Sequence, residues 1–261
     1  MKVFINTLSC ELKRTLFSPL FILSIFGYIA VTLLTLFDEG SDFQSGITSI
    51  LYIYMIIRYL DFHVLYILFA GIPSTLLFCM DWEHQFIRFF VIRSTKRYYI
   101  ISKIVVCFFT AVSVVLLSNI LLLLILRIQY PLFNSISDVL PNGYSALPDS
   151  RGIVSYLLIK ILCEAACAGF LSVTAMWLST IIINSFVALA TPMAVYYIIS
   201  TASYFFHMPA SLHIASLSNG LVEINQTPLL SLLYTLFIFA VPTATSGYFF
   251  AKNCARRIQN G

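Results

Sequence analysis

The segment 81–103, DWEHQFIRFFVIRSTKRYYIISK, is a charged and aromatic insert between two long apolar runs of the chain. The runs on either side are continuously apolar and lack the alternation of apolar and polar residues that is typical of barrel strands. They therefore predict helices that cross a membrane, with the insert between them. The insert contributes five basic residues to one side of that membrane: Arg88, Arg93, Lys96, Arg97 and Lys103.

The composition of the whole chain is that of an integral membrane protein. Of its 261 residues, 60% are hydrophobic and only 10% are charged, whereas about 25% of the residues of a soluble domain are charged. A helical span needs roughly 20 apolar residues, and backbone groups in lipid must bond within helices or closed barrels. The sequence thus predicts an all-α membrane protein, a single transmembrane domain over 1–261. Six transmembrane helices are expected at about 18–37, 62–80, 99–126, 153–183, 186–203 and 229–250.

The first 17 residues have a different pattern. Phe4, Leu8, Leu12 and Leu16 recur at intervals of four, and polar residues lie between them. This spacing puts the apolar side chains on one helix face, which is typical of a helix that lies in the membrane interface. We therefore expect an N-terminal amphipathic interfacial helix over 1–17.

The placement of lysine and arginine predicts the orientation in the membrane. The segments 1–17, 81–103 and 251–261 hold eleven basic and three acidic residues, a net charge of +8. The opposite loops hold three basic and seven acidic residues, a net charge of −4. Because basic residues favour the cytoplasmic side, we expect a multi-pass protein of the cell (plasma) membrane with both termini in the cytoplasm.

Two sets of residues within the spans are candidates for function. Lys160 and Glu164 are four residues apart in one span, so they can form a buried ion pair on one helix face. The open alternative is that they line a substrate or proton pathway. Polarity and position also suggest four aromatic residues that contact a substrate: Tyr28, Tyr52, Tyr54 and Phe69.

Several kinds of chemistry have no motif in this chain. There is no G-x-x-x-x-G-K-[ST] phosphate loop, no H-E-x-x-H and no G-x-S-x-G. The spacing of His207, His213 and Glu223 fits no standard metal site. No basic tail supports binding to nucleic acid. The sequence therefore predicts a protein that is not an enzyme, binds no metal, cofactor or nucleic acid, and works within the lipid bilayer.

The aromatic residues of the insert form a stripe. Asp81 is expected to cap a short helix at its N-terminus, on which Trp82, Phe86, Phe89 and Phe90 recur at intervals of four, three and one. One interpretation is that this stripe lies against lipid headgroups, as aromatic belts do. The other is that it enters a groove of a partner, because aromatic residues and arginine dominate binding hot spots.

The chain resembles the permease subunits of type 2 ATP-binding-cassette (ABC) exporters. The likeness covers most of the chain: an amphipathic entry helix, six spans with both ends inside, and a cytoplasmic helix between spans 2 and 3. Locally it is carried by 78–83 (FCMDWE), by 92–97 (IRSTKR) and by Lys103 at the base of span 3. The glycine that usually follows the acidic residue is absent, and so is the proline before the small-plus-basic pair.

This resemblance implies a coupling helix within the cytoplasmic segment 81–98. Two copies of a separate ATPase subunit would supply ATP and Mg²⁺, and a second permease copy or a similar permease would complete the transporter. The cargo would be amphipathic (a peptide, an antimicrobial or a lipid-like molecule) and would leave the cell. The residues implied to contact the ATPase are Trp82, Glu83, Phe86, Arg88, Phe89, Phe90 and Arg93.

Two other functions stay open from the sequence. The first is a stand-alone membrane immunity or binding protein that sequesters a toxic peptide without transport. The second is a secondary transporter, which would need a charged site near the middle of the membrane. Lys160 and Glu164 are the candidates for that site, but no repeat relates the two halves of the chain, as many such transporters have.

Overall fold

The computed structural model describes residues 2–38, 49–59, 63–83, 86–87, 95–132, 149–220, 222 and 227–260. Within these residues the regular structure is helical and no strand occurs. The predicted all-α fold is therefore confirmed. The helices are α1 (Lys2–Leu16), α2 (Pro19–Asp38), α3 (Ile50–Tyr59), α4 (His63–Glu83), α5 (Lys96–Gln129), α6 (Asp149–Ser179), α7 (Ser185–Phe205), a 3₁₀ turn (Ala210–Leu212), α8 (Ile214–Ser218) and α9 (Pro228–Asn260).

Five of the described helices are long and apolar enough to cross a membrane, namely α4, α5, α6, α7 and α9. Helices α1 and α2 meet the same criteria of length and composition only together, and they bend by 52° at the break between them. Counting that bent pair as one span gives six. Five to six apolar helices of this length agree with a multi-pass membrane protein.

Helix α6 lies at the centre and packs against α4, α5, α7 and α9. Its small residues Ala165, Ala168 and Ser172 are buried. A Cβ added to Gly169 would lie 2.6 Å from the Phe108 ring of α5. Small side chains let membrane helices approach closely, so this face of α6 accounts for the tight packing at the centre.

The helices alternate in direction and define two ends of the bundle. At one end, which we call the insert end, the last turns of α4, α6 and α9 meet the first turns of α5. Phe78, Tyr99, Met176 and Phe250 form the core there. The opposite end has a second core that includes residues of α2, α3, α5 and α6.

The structure corrects the expected role of Asp81. It does not cap a new helix, because α4 continues through it to Glu83. Its carboxylate is fully buried in the last turn of α4. A capping argument considers only neighbours in sequence, whereas the partners of Asp81 come from other helices.

Candidate functional site: a buried charge cluster beside the insert

Five residues at the insert end form what we call the charge cluster: Glu11, Arg14, Asp81, Tyr99 and Lys103. The Nζ of Lys103 lies 2.7 Å from Oε2 of Glu11 and 2.5 Å from Oδ2 of Asp81. Nη1 of Arg14 lies 2.7 Å from Oδ1 of Asp81. The Tyr99 hydroxyl donates a hydrogen bond of 3.3 Å to Oδ2 of Asp81. One lysine thus bridges two carboxylates that belong to different helices.

The charge cluster is buried and electrically balanced. The side chains of Glu11 and Asp81 are fully buried, Lys103 is 1% exposed, and only Arg14 reaches the surface, at 32%. Two acidic and two basic groups give a net charge of zero. Balance is needed here because an unpaired charge in an apolar interior costs several kcal/mol. The cluster therefore fixes α1, α4 and α5 relative to one another.

Two oxygen atoms of the charge cluster are left without a hydrogen bond. Oε1 of Glu11 and Oδ1 of Asp81 are buried and have no hydrogen-bond partner in the described part of the chain. Nearly all buried polar atoms in proteins do have one. Both oxygens still belong to carboxylates that have a basic group at 2.7 Å.

Two aromatic rings of the insert lie against arginine side chains, one of which belongs to the charge cluster. The guanidinium carbon of Arg14 lies 5.5 Å from the centre of the Phe86 ring, and that of Arg257 in α9 lies 5.6 Å from the Trp82 ring. Both distances fit cation–π interactions. Phe86 is still 44% exposed. Two of the residues implied to bind an ATPase thus contact α1 and α9, and one of them, Phe86, is partly exposed.

The remaining residues of that predicted contact set divide into two groups. Glu83 is exposed at the end of α4. Four others lie outside the described residues: Arg88, Phe89, Phe90 and Arg93. The structure therefore brings together Trp82, Glu83 and Phe86 at one edge of the bundle, and the predicted contact of all seven with an ATPase stays a prediction.

A second buried polar network, which we call the tyrosine network, lies toward the opposite end. The Tyr28 hydroxyl donates to Oε1 of Glu164 at 2.5 Å. Nδ2 of Asn119 donates to the Tyr28 hydroxyl at 2.9 Å, and Oδ1 of Asn119 accepts from the Tyr54 hydroxyl at 3.1 Å. Nζ of Lys160 donates to the carbonyl oxygen of Tyr54 at 2.6 Å. These bonds connect α2, α3, α5 and α6.

The tyrosine network contains four of the residues inside the spans that were predicted to be functional. Lys160 and Glu164 are both buried, and each has a tyrosine among its partners. Tyr28 and Tyr54 are 3% exposed, so they connect helices in this conformation. A direct Lys160–Glu164 ion pair and contacts between the tyrosines and a cargo stay predictions.

The other two predicted cargo contacts are more accessible. Tyr52 and Phe69 are half-buried. The ring of Phe69 packs against Gly27 of α2, which makes it a contact between α2 and α4 as well. Among these four aromatic residues, Tyr52 and Phe69 thus retain surface that a bound molecule can reach.

Sequence reasoning did not single out four residues of these networks: Glu11, Arg14, Tyr99 and Asn119. Glu11 is the one acidic residue of α1, and Asn119 is the one amide in the long apolar run of α5. Polar residues at such positions are costly unless paired and are therefore worth following. Opposite charges at matching depth in neighbouring spans would have suggested the pairing of Glu11 with Lys103.

The part of the chain that the structure describes has neither a metal-binding cluster nor a disulfide. The described residues contain no group of three or more histidine, cysteine or carboxylate side chains placed to hold a metal. All six cysteines are free, and five of them are buried. The chemistry available at the insert end is thus that of ion pairs and exposed aromatic rings.

Comparison with protein-family models, with curated proteins and with solved structures finds no match for this chain. Its function is therefore inferred from the charge cluster, the tyrosine network and the sequence of the insert. Of these, the charge cluster joins residues of the insert to Glu11 and Arg14 of α1.

Proposed function

We propose that this chain is the permease subunit of an ATP-driven exporter in which a separate ATPase pushes on the cytoplasmic segment 81–98. Two permease copies, or this chain and a similar one, would pair with two ATPase copies in the cell membrane, with both termini in the cytoplasm. The observation that carries the proposal is the charge cluster. It joins α1, α4 and α5 directly beside the exposed aromatic edge.

Contacts lead from that edge into the bundle. Phe86 touches Arg14, Arg14 pairs with Asp81, and Asp81 pairs with Lys103. Charge pairs are stronger in a buried site than in water, because the local dielectric is lower. A force on the insert would therefore displace the helices together, which is what coupling to an ATPase requires.

The cargo that we propose is amphipathic: a peptide, an antimicrobial or a lipid-like molecule. Its contacts would include Tyr28, Tyr52, Tyr54 and Phe69, where hydroxyl groups lie beside large apolar surfaces. The tyrosine network shares one helix with the charge cluster, since Asn119 and Lys103 both belong to α5. Movement at the insert end would thus reach these tyrosines along one helix.

Affinity purification from the native host tests the partner. We expect an ATPase with a phosphate loop to co-purify with the chain, and the double variant F86A/F89A to lose most of it. The matched control is Phe26→Ala, because Phe26 is 64% exposed on α2, away from the insert. A stable complex without an ATPase, unchanged in the F86A/F89A variant, would refute the proposal.

The immunity-protein alternative makes a different prediction. If the chain only sequesters a toxic peptide, the host stays protected after the ATPase gene is deleted. The exporter proposal expects protection to be lost in that strain. A secondary transporter would instead move its cargo in ATP-free vesicles when an ion gradient is imposed.

A further inference from the structure

A long apolar groove runs along the outside of the bundle between α5 and α9, with Ala166 of α6 beneath it. Its volume is about 710 Å³, within the range of roughly 300–1,000 Å³ that is typical of small-molecule sites. The lining is apolar except for two hydroxyl groups. One of them, on Thr243, donates to the carbonyl oxygen of Phe239 and so is not free for a ligand.

The length of the groove matches that of one lipid acyl chain. Ala240, Ala244, Gly247 and Ala251 recur at intervals of four, three and four, and therefore lie on one face of α9. Their small side chains leave space for the groove on that side, and Phe108 and Phe109 of α5 line the other side. At 1.5 Å per residue, Ala240 to Ala251 covers about 16 Å. This is about half of a hydrocarbon core of roughly 30 Å, the depth of one leaflet.

Basic residues lie at one end of the groove. Arg97 precedes Ile104 by seven residues and so lies on the same face of α5, two turns closer to the insert end. Lys252 follows Tyr248 by four residues on α9. Both basic side chains are exposed. No acidic residue occurs in 95–105 or 236–260, so the groove ends in a local excess of positive charge.

We propose that this groove binds one acyl chain of an anionic membrane lipid, with the lipid phosphate at Arg97 and Lys252. The apolar lining and the one-leaflet length fit the acyl chain. The exposed basic pair fits the headgroup, because lysine and arginine at the membrane surface attract anionic lipids. This site takes only Arg97 from the insert, includes none of the residues implied to bind an ATPase, and holds whether or not the chain is an exporter.

Native mass spectrometry of the full chain in neutral detergent tests the site. We expect phosphatidylglycerol to remain bound and phosphatidylcholine with the same acyl chains to bind more weakly. The double variant R97Q/K252Q should weaken phosphatidylglycerol binding by about fivefold for each lost charge. The matched control K13Q/R127Q removes two exposed basic residues far from the groove and should bind as the unaltered chain does.

Two further variants separate the groove from the headgroup site. Ala240→Phe and Ala244→Phe each place a ring in the groove at an exposed position, so they should fold normally and lose both lipids. Size-exclusion chromatography checks folding. If both variants keep phosphatidylglycerol, or if R97Q/K252Q binds the two lipids as before, the proposal is wrong. Loss of a dimer in A244F with unchanged lipid binding would show instead that a second copy occupies the groove.

Discussion

Replacing Lys103 with methionine should destabilise the protein by about 3–5 kcal/mol, the usual loss when one partner of a buried ion pair is removed. Methionine has nearly the length of lysine and fills most of its space, so the loss measures charge rather than packing. In the variant, Asp81 keeps its contact with Arg14, but the carboxylate of Glu11 stays fully buried without a cation. The charge cluster changes from neutral to a net charge of −1.

A double-mutant cycle separates the charge effect from other causes. Glu11→Gln removes the second charge, so the K103M/E11Q variant is again neutral, with Arg14 paired to Asp81. We expect it to be more stable than K103M alone, with a coupling energy of about 1–3 kcal/mol between Lys103 and Glu11. Additive losses from the two single changes would contradict the ion pair.

Unfolding by SDS in mixed micelles provides the measurement. Tryptophan fluorescence reports on the relevant region, because Trp82 and Trp177 both belong to the core at the insert end. The matched control is Lys96→Met, which removes an exposed lysine from the first turn of the same helix. Its effect should stay within about 0.5 kcal/mol. If K103M is as stable as K96M, the reasoning about the cluster is refuted.

Three other changes test the packing and the tyrosine network. Asn119→Ala should destabilise the protein by about 1–3 kcal/mol, because it leaves buried tyrosine hydroxyl groups with fewer partners; the same SDS titration measures it. Gly169→Ala should lower the stability by about 1–3 kcal/mol, because its Cβ would clash with Phe108. Gly247→Ala should be neutral or slightly stabilising. Its new Cβ would have no contact closer than 3.4 Å, and alanine favours helices. Maleimide should label the native protein once, at Cys10, the one exposed cysteine, and six times after denaturation.

Matched controls keep these outcomes interpretable. Ser113→Ala removes an exposed hydroxyl from α5 that donates only to the backbone of its own helix, so it should change stability by less than about 0.5 kcal/mol. If Asn119→Ala lowers the stability no more than Ser113→Ala does, the tyrosine network does not hold the helices together. Cys10→Ala should abolish native labelling. Labelling that persists would show that a second thiol is accessible.

The helical architecture followed from sequence because it is a local property. In a membrane a run of apolar residues must satisfy its backbone within a helix, and this requirement depends on no other part of the chain. The apolar runs that predicted spans 3 and 4 correspond to α5 and α6. The ends were less accurate: α9 continues to Asn260, ten residues beyond the expected end at 250, because its last turns pack at the insert end through Phe250 and Cys254.

The functional side chains were harder to predict because their partners are distant in sequence. Asp81 looked like a helix cap from its neighbours, but Arg14 and Lys103 on two other helices determine its role. Tyr28 and Tyr54 were chosen for their polarity within apolar runs, and both belong to one network. The residue that joins them, Asn119, belongs to a different span. Its pairing depends on how α2, α3 and α5 meet, which no local pattern specifies.

Helix α5 is the element that connects the two networks. Lys103 belongs to the charge cluster and Asn119 to the tyrosine network, and the 16 residues between them correspond to about 24 Å along a helix. Helix α5 contains neither proline nor glycine, whereas α4, α7 and α9 each contain an internal proline. Kinks in helices arise mainly at such residues, and α5 has none of them between Lys103 and Asn119. A displacement applied at Lys103 would thus be carried toward Asn119 along an unbroken helix, while α4, which carries Asp81 at its end, can bend at Pro73.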